Sequence, residues 1–408
     1  MFDRTTQSER DGSGTEAVAE PIALDSVALH WQVLVGRDQR PSGVRLDLQA
    51  RVGLTPVSAS ALLESVVRGF VADDALPFPR GLVLLAPPAH SIDAAMAQWS
   101  APRNVLLEVA AADLQDDARV RTLFASRRQG VRQALRLDEN KLSRERLQFF
   151  QYLVGPSSCA QWAGIPVLAL DSQSTAQAQA AYAAGAHALV GWPVAETPPA
   201  GSELSPSQRA IFELVRLIRA DAEIRTLERV FEAEPVLAYL LLTLANSVAY
   251  RRGAPTASLR QAVIAIGYQR LVKWLVLILA VSNKDKRFAP LIFTTLVRGY
   301  CMENLCLGTG GQRAEADECF VVGAFSLLDK ITGQPLPELM SAANLPAPVT
   351  DALVTASGPY APWLQQVCRM ELGQVPGGAG AIETVDADIA NKALLRALSA
   401  ADAMLALI

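Results

Sequence analysis

Residues 193–208, PVAETPPAGSELSPSQ, separate two stretches of different periodicity. The segment is rich in proline and has no apolar repeat, so it reads as a linker rather than part of a helix or strand. Before it, ALHWQVLV, VRLDLQARV, GLVLLAP, NVLLEVA, IPVLALD and HALVGWP read as short strands. Segments of helical period such as SASALLESVVRGFV and TAQAQAAYAAGA lie between several of them. Strands alternating with helices imply βαβ units and a largely parallel sheet. After the linker, SQRAIFELVRLIRA, PVLAYLLLTLANSVAY, SLRQAVIAIGYQRLVKWLVLILAV, LIFTTLVRGYCMENLCLG, ECFVVGAFSLLDKITG and NKALLRALSAADAMLAL all read as helices. The fold class expected is α/β followed by all-α. A disordered tail is expected over 1–25, an α/β domain over 26–196, a linker over 197–207 and a helical domain over 208–408.

Half of the residues are apolar and 19% are charged, enough to fill real cores. A net charge of −4 gives no global basic field, so nucleic acid is not an expected partner. The arginine cluster SRRQGVRQALR (Ser126–Arg136) reads as a helix with a solvated face. Cys159, Cys301, Cys306, Cys319 and Cys368 are scattered and show no CxxC spacing, which fits reduced, mostly buried thiols in a cytoplasmic protein. The first 21 residues are polar and contain no apolar signal-peptide core. The longest apolar run, LVKWLVLILAV, has 11 residues and carries Lys273. A membrane helix needs roughly 18–20, so a buried core helix is expected and no membrane insertion.

The chain has three histidines, His30, His90 and His187, all before the linker. A His-based metal site or a Ser-His-Asp triad built within the helical half is thereby excluded. No phosphate-cradling glycine motif follows a strand, and GTGGQR (Gly308–Arg313) reads as a loop after a helix. One polar pair remains in the apolar run CFVVGAFSLLDKI: Ser326 and Asp329, three residues apart and so on one face of a continuous helix.

The helical half resembles an HDOD domain, a relative of the HD phosphohydrolase fold that lacks its metal site. The resemblance rests on EPVLAYLLLTLANSVAYRRGAPTASLRQAVIAIGYQRLVKWLVL: Glu234-Pro235, the LAN-S segment with Asn246 and Ser247, Tyr250, and the helix around Gly267 and Trp274. Ser326 and Leu327 stand where an HD enzyme has its metal-gripping His-Asp pair, and a hydroxyl and an isobutyl group cannot replace those ligands. Asn246 and Ser247 are expected to end a helix or bridge backbone groups, and Trp274 to lie in the core. Ser326 is expected to hydrogen-bond within its helix or to a neighbour, and Asp329 to anchor a helix end or a neighbouring Arg.

The first half resembles a degenerate EAL domain, the barrel family that hydrolyses cyclic di-GMP with two metal ions held by carboxylates. DLQAR is similar to the signature E-A-L-L-R strand, with Asp47 for the Glu and Arg51 for the Arg. LLEVAAAD keeps Glu108 but has Ala111 for the second carboxylate; Ala86, Leu170, Gln173 and Val190 replace other polar positions. The paired Asp-Asp motif has at best a remnant in LRLDEN (Leu135–Asn140). About 170 residues is fewer than the roughly 200 of a (β/α)8 barrel, so helices or strands are expected to be missing and the barrel incomplete or distorted.

The resemblances imply a TIM-barrel-like α/β domain followed by an HD-related helical domain, in a non-enzymatic bacterial signalling scaffold acting through protein partners. No cofactor and no metal are expected. The candidate vestigial pocket is Asp47, Arg51 and Glu108; the interaction or structural candidates are Asn246, Ser247, Tyr250, Ser326 and Asp329. Cyclic di-GMP binding without hydrolysis, and residual cyclic di-GMP phosphodiesterase activity, are the alternatives. The structural reading of Glu108 is a strand-end acid that is solvated or paired with an Arg such as Arg103.

Overall fold

The computed structural model describes residues 24–51, 58–71, 78–137, 147–161, 164–170, 173–194, 196, 205–247, 255–281, 288–343, 345–371 and 385–405. Eight strands close into a barrel in sequence order: β1 (Val27–Gly36), β2 (Pro41–Ala50), β3 (Leu82–Ala86), β4 (Val105–Ala110), β5 (Arg132–Arg136), β6 (Tyr152–Gly155), β7 (Val167–Ala169) and β8 (Ala188–Val190). The strands from β2 to β8 pair parallel, whereas β1 is antiparallel to both β2 and β8. The barrel is therefore closed, and the expectation of an incomplete one is corrected. Among the described residues its helical ring is thin. Helices α1 (Ala59–Phe70), α2 (Asp117–Arg128) and α3 (Thr175–Ala183) follow β2, β4 and β7, but 3-10 turns, Ala94–Ala97 and Ser157–Gln161, are described where β3 and β6 lead on.

All six strands expected from the sequence form, and β5 and β6 are added. The Arg-rich segment 126–136 is not one helix. Helix α2 ends at Arg128, Gly130 turns the chain at φ 94°, and β5 follows. Strand alternation buries Ala134 inward, while the arginines at either end of β5 keep partial solvent contact. The barrel interior is an apolar layer of Leu34, Leu84, Leu106, Ala134, Val154, Leu168, Ala188 and Val190. It is a packed core rather than a pore.

Because β1 and β2 are joined directly by a hairpin, no helix stands between them in the chain to cover the outer face of β1. The helical half covers it. Helices α4 (Pro206–Arg219), α5 (Ile224–Ala233), α6 (Pro235–Ala245), α7 (Leu259–Ile266), α8 (Tyr268–Val281), α9 (Ala289–Gly308), α10 (Arg313–Phe325), α11 (Leu328–Thr332), α12 (Leu336–Ala343), α13 (Ala347–Thr350), α14 (Ala361–Arg369) and α15 (Ala387–Leu405) build it. Trp31 of β1 meets Phe293 of α9 edge-on at 6.0 Å between ring centroids. Asn391 of α15 is buried and accepts from Leu29 N–H (3.1 Å) while donating to the carbonyls of Leu24 and Val27 (2.7 and 2.8 Å). One continuous apolar cluster runs from the barrel's outer face through these helices.

Two sequence-expected helices are broken. The run 258–281 bends by 104° at Gly267, whose φ of 79° is unfavourable for residues with a Cβ. The run 318–333 breaks at Ser326 and Leu327, where Leu327 leaves the helical region at φ −121°, ψ 15°. Ser326 and Asp329 thus do not share a face of one helix. No single described helix is long and apolar enough to cross a membrane; the bent pair Leu259–Ile266 and Tyr268–Leu279 passes only by combined length and composition. Leu271–Leu279, Trp274 among them, are buried, as the core-helix expectation requires.

Candidate functional site

At the C-terminal end of the parallel strands, β2 to β5 bring four ionisable side chains to the barrel mouth. Residues two apart on a strand share a face, so Arg45 and Asp47 of β2 both point inward. Register sets Asp47 opposite His30 of β1 and beside Ala86 of β3. Glu108 enters from β4 and Arg136 from β5.

The Arg45 guanidinium, 3% exposed, holds both oxygens of Glu108 at 2.7 and 2.8 Å. Its remaining donors reach Asp47 Oδ1 and Gln32 Oε1, each at 3.3 Å. Burial alone would lower the Arg45 pKa, but the bonds and charges of Glu108 and Asp47 raise it above its ordinary value. Arg136 stands 3.6 Å from Glu108 and is 42% exposed at its side chain. Gln49 donates to the second oxygen of Asp47 at 2.8 Å. His30 is held below its ordinary pKa by burial, against the pull of Asp47, and its Nδ1 has no hydrogen-bond partner among the described residues. An open cleft of about 400 Å³ lies above this cluster, walled by Asp47, Gln49, Ala86, Pro87, Pro88, Glu108, Ala110 and Arg136.

Asp47 and Glu108 are therefore brought together, but through a cation that the sequence reading passed over. Arg103 is not the partner of Glu108; its backbone carbonyl accepts from Arg132. Arg51 does not line the cleft; it donates to the carbonyl of Asp25 at 2.8 Å. The period-two spacing of Arg45 and Asp47 was the available signal; the partnership of Arg45 with Glu108 depends on sheet register and could not be read locally. Among the described residues no three His, Cys, Asp or Glu side chains gather as a metal-holding group. Both carboxylates at the mouth already face a fixed guanidinium, a donor set that does not fit two divalent ions. Asp138, Glu139 and Asn140, half of the LRLDEN segment, lie outside the described residues.

In the helical half a second buried ion pair forms. Arg298 of α9, 4% exposed, grips Glu371 through Nε and Nη2 at 2.6 and 2.8 Å, and its Nη1 donates to Ser326 Oγ at 3.0 Å. The Ser326 hydroxyl donates in turn to Gly323 O at 2.7 Å. Asp329 pairs with Lys330 at 3.4 Å, and its carbonyl accepts from Gly333 N–H, where the chain turns left-handed and α11 stops. The Cys301 thiol beside this pair is pushed up by burial, and that of Cys368 up to about 11, so neither is a ready thiolate. None of the five cysteines is joined in a disulfide. Asn246 closes the end of α6 by exchanging two 2.8 Å bonds with the backbone of Thr256. Ser247 Oγ is buried without a partner among the described residues, and Tyr250 lies outside them.

A third cluster was not anticipated. Lys273 of α8 contacts Glu303 at 2.5 Å, lies 4.9 Å from the Phe320 ring centroid, and shares Glu303 with Arg313 at 2.9 Å. Burial holds its amine below the usual range despite Glu303.

Residues 204–331 match the HDOD domain. The match includes α4 to α10 and the helix break at Ser326; the helices from Leu336 onward lie beyond it. No curated protein matches the chain. Among solved structures, the chain is similar to Klebsiella pneumoniae BlrP1 in its pH 6 manganese/cyclic di-GMP complex, at 16% identity and a TM-score of 0.32, over 41% of this chain and 55% of that one. It is also similar to the PaMucR phosphodiesterase in complex with cyclic di-GMP, at 14% identity and a TM-score of 0.30, over 41% of this chain and 95% of that one. The EAL enzyme Bd1971 in its cAMP-bound form follows at 12% identity and a TM-score of 0.30, over 41% and 62%. The chain spans about half the length of the BlrP1 structure it matches.

Proposed function

We propose that this chain is a non-enzymatic signalling module in which an EAL-like barrel and an HDOD domain form a scaffold for protein partners. The observation that carries the reading is the seat of Arg45. A two-metal phosphodiesterase needs several carboxylate oxygens open to divalent ions. Here Glu108 accepts two short bonds from a buried guanidinium, and Asp47 accepts a third. A permanently charged side chain neutralises these acids where hydrated magnesium would have to compete for them. In the helical half, Ser326 hydrogen-bonds to Arg298, and the three histidines all lie elsewhere in the chain. In this reading the HDOD helices serve interaction, and the chain works in a bacterial, cytoplasmic setting.

A second reading is favoured by the cleft itself. With Arg136 at its wall and Pro87 and Pro88 on its rim, it can receive a cyclic dinucleotide without metal or hydrolysis. Calorimetric titration of the full chain with cyclic di-GMP, with and without Mg²⁺ or Mn²⁺, followed by analysis for the linear product, separates the possibilities. Neither heat nor product is expected of a scaffold. Heat without product replaces it with the ligand-binding regulator, and metal-dependent product overturns both.

A further inference from the structure

The two ends of β1 are not equally paired. Along its length β1 bonds to β2, but β8 meets it only over Leu34–Gly36. At Trp31 the helical half supplies the missing neighbour. Trp31 N–H donates to the Met370 carbonyl at 2.8 Å, and Trp31 forms a parallel bridge with Glu371. A single rung of sheet is weak alone, because one backbone hydrogen bond exchanged with water adds little net stability.

This rung is fixed from behind. Glu371 is 6% exposed, and both its carboxylate oxygens are held by Arg298. Arg298 is aimed by Ser326, whose hydroxyl is itself anchored to Gly323 at the end of α10. The close packing beneath Arg298 leaves that arrangement little slack. A Cβ at Gly323 would lie 2.4 Å from the Arg298 carbonyl oxygen. On the barrel side, the residue before Trp31 is His30, the cross-strand partner of Asp47 at the mouth.

We propose that Ser326, Arg298 and Glu371 form a latch joining the helix break of the HDOD domain to strand β1 of the barrel, with Ser326 as its positioning residue. The latch works through charge, not apolar contact. A buried ion pair holds its geometry only while both partners and their remaining hydrogen bonds are in place. Loosening it at the Ser326 end therefore releases backbone pairing at Trp31, although no atom of Ser326 touches the barrel strand among the bonds described. This inference is independent of whether the mouth binds a ligand.

Native-state hydrogen exchange on the full chain, read by mass spectrometry, tests it. Two variants are compared with the parent: Glu371→Gln, which removes the charge, and Ser326→Ala, which removes only the aiming hydroxyl. Segments 27–36 and 323–332 are expected to exchange faster together, by about ten-fold in Glu371→Gln and by a smaller shared factor in Ser326→Ala. Segment 132–136 of β5, four strands away in the closed order, is expected to keep the parent rate. If Glu371→Gln does not fold, Ser326→Ala decides. Acceleration confined to 323–332, acceleration that reaches 132–136 equally, or no change at all would overturn the latch.

Discussion

Arg45 and Glu108, 63 residues apart in sequence, meet inside the barrel through two parallel hydrogen bonds of 2.7 and 2.8 Å. Neither side chain is more than 4% exposed. Their pairing makes the mouth sensitive to removal of one partner and tolerant of removal of both. Arg45→Met leaves Glu108 buried near the more distant Arg136 and should destabilise the chain by about 3–5 kcal/mol. Arg45→Met with Glu108→Gln should recover at least half of that loss. Urea unfolding of both variants checks the difference, and equal losses would contradict the assignment.

His30 provides a pH handle. Burial lowers its folded-state pKa below 6.5, so between the two values the unfolded chain binds more protons than the folded one. Stability should therefore rise with pH through that window and fall on acidification below about 6.5. His30→Gln should flatten this part of the curve. Thermal melts between pH 5 and 7.5 measure it, and an unchanged slope in the variant would assign the dependence elsewhere.

The cover that α9 gives to β1 should make the two halves melt together. Trp31, 2% exposed, packs its ring on Phe293 across the boundary. Trp31→Ala is expected to cost about 3–5 kcal/mol. The parent chain should show one calorimetric transition; two resolved transitions would mean that the shared cluster does not bind the halves into one cooperative unit.

Helices α9 and α10 approach closely at Gly299 and Gly323. A methyl group at Gly299 would come within 2.9 Å of the Phe320 ring, and one at Gly323 within 2.4 Å of backbone. Ring atoms can shift and backbone cannot, so Gly323→Ala should be the more damaging, by about 1–3 kcal/mol. Comparing the melting temperatures of the two variants tests the order.

Periodicity carried the large features of this chain. Alternation in ALHWQVLV is enough to place β1, because a half-buried strand repeats every two residues, and NVLLEVA places β4 as the short apolar run of a strand buried on both faces. It failed at β5, where RQALR follows an arginine-rich helix and only Gly130 marks the change. It failed again at Ser326, since nothing in an apolar run shows where tertiary contacts to Arg298 will interrupt a helix. The candidate site was half legible. Asp47 and Glu108 were found by motif, but the charge between them is a consequence of register across β2, β3 and β4, which local sequence does not encode.

Asn391 ties the carbonyls of Leu24 and Val27 and the N–H of Leu29 to a helix made some 360 residues later. During synthesis, the outer face of the first hairpin thus leaves the ribosome long before its permanent cover exists. Its buried side chains, Leu29, Trp31, Val33, Val44, Leu46 and Leu48, must be shielded by other means in that interval. A stop codon placed just ahead of α15 would consequently be felt at the opposite end of the polypeptide, as aggregation of the barrel.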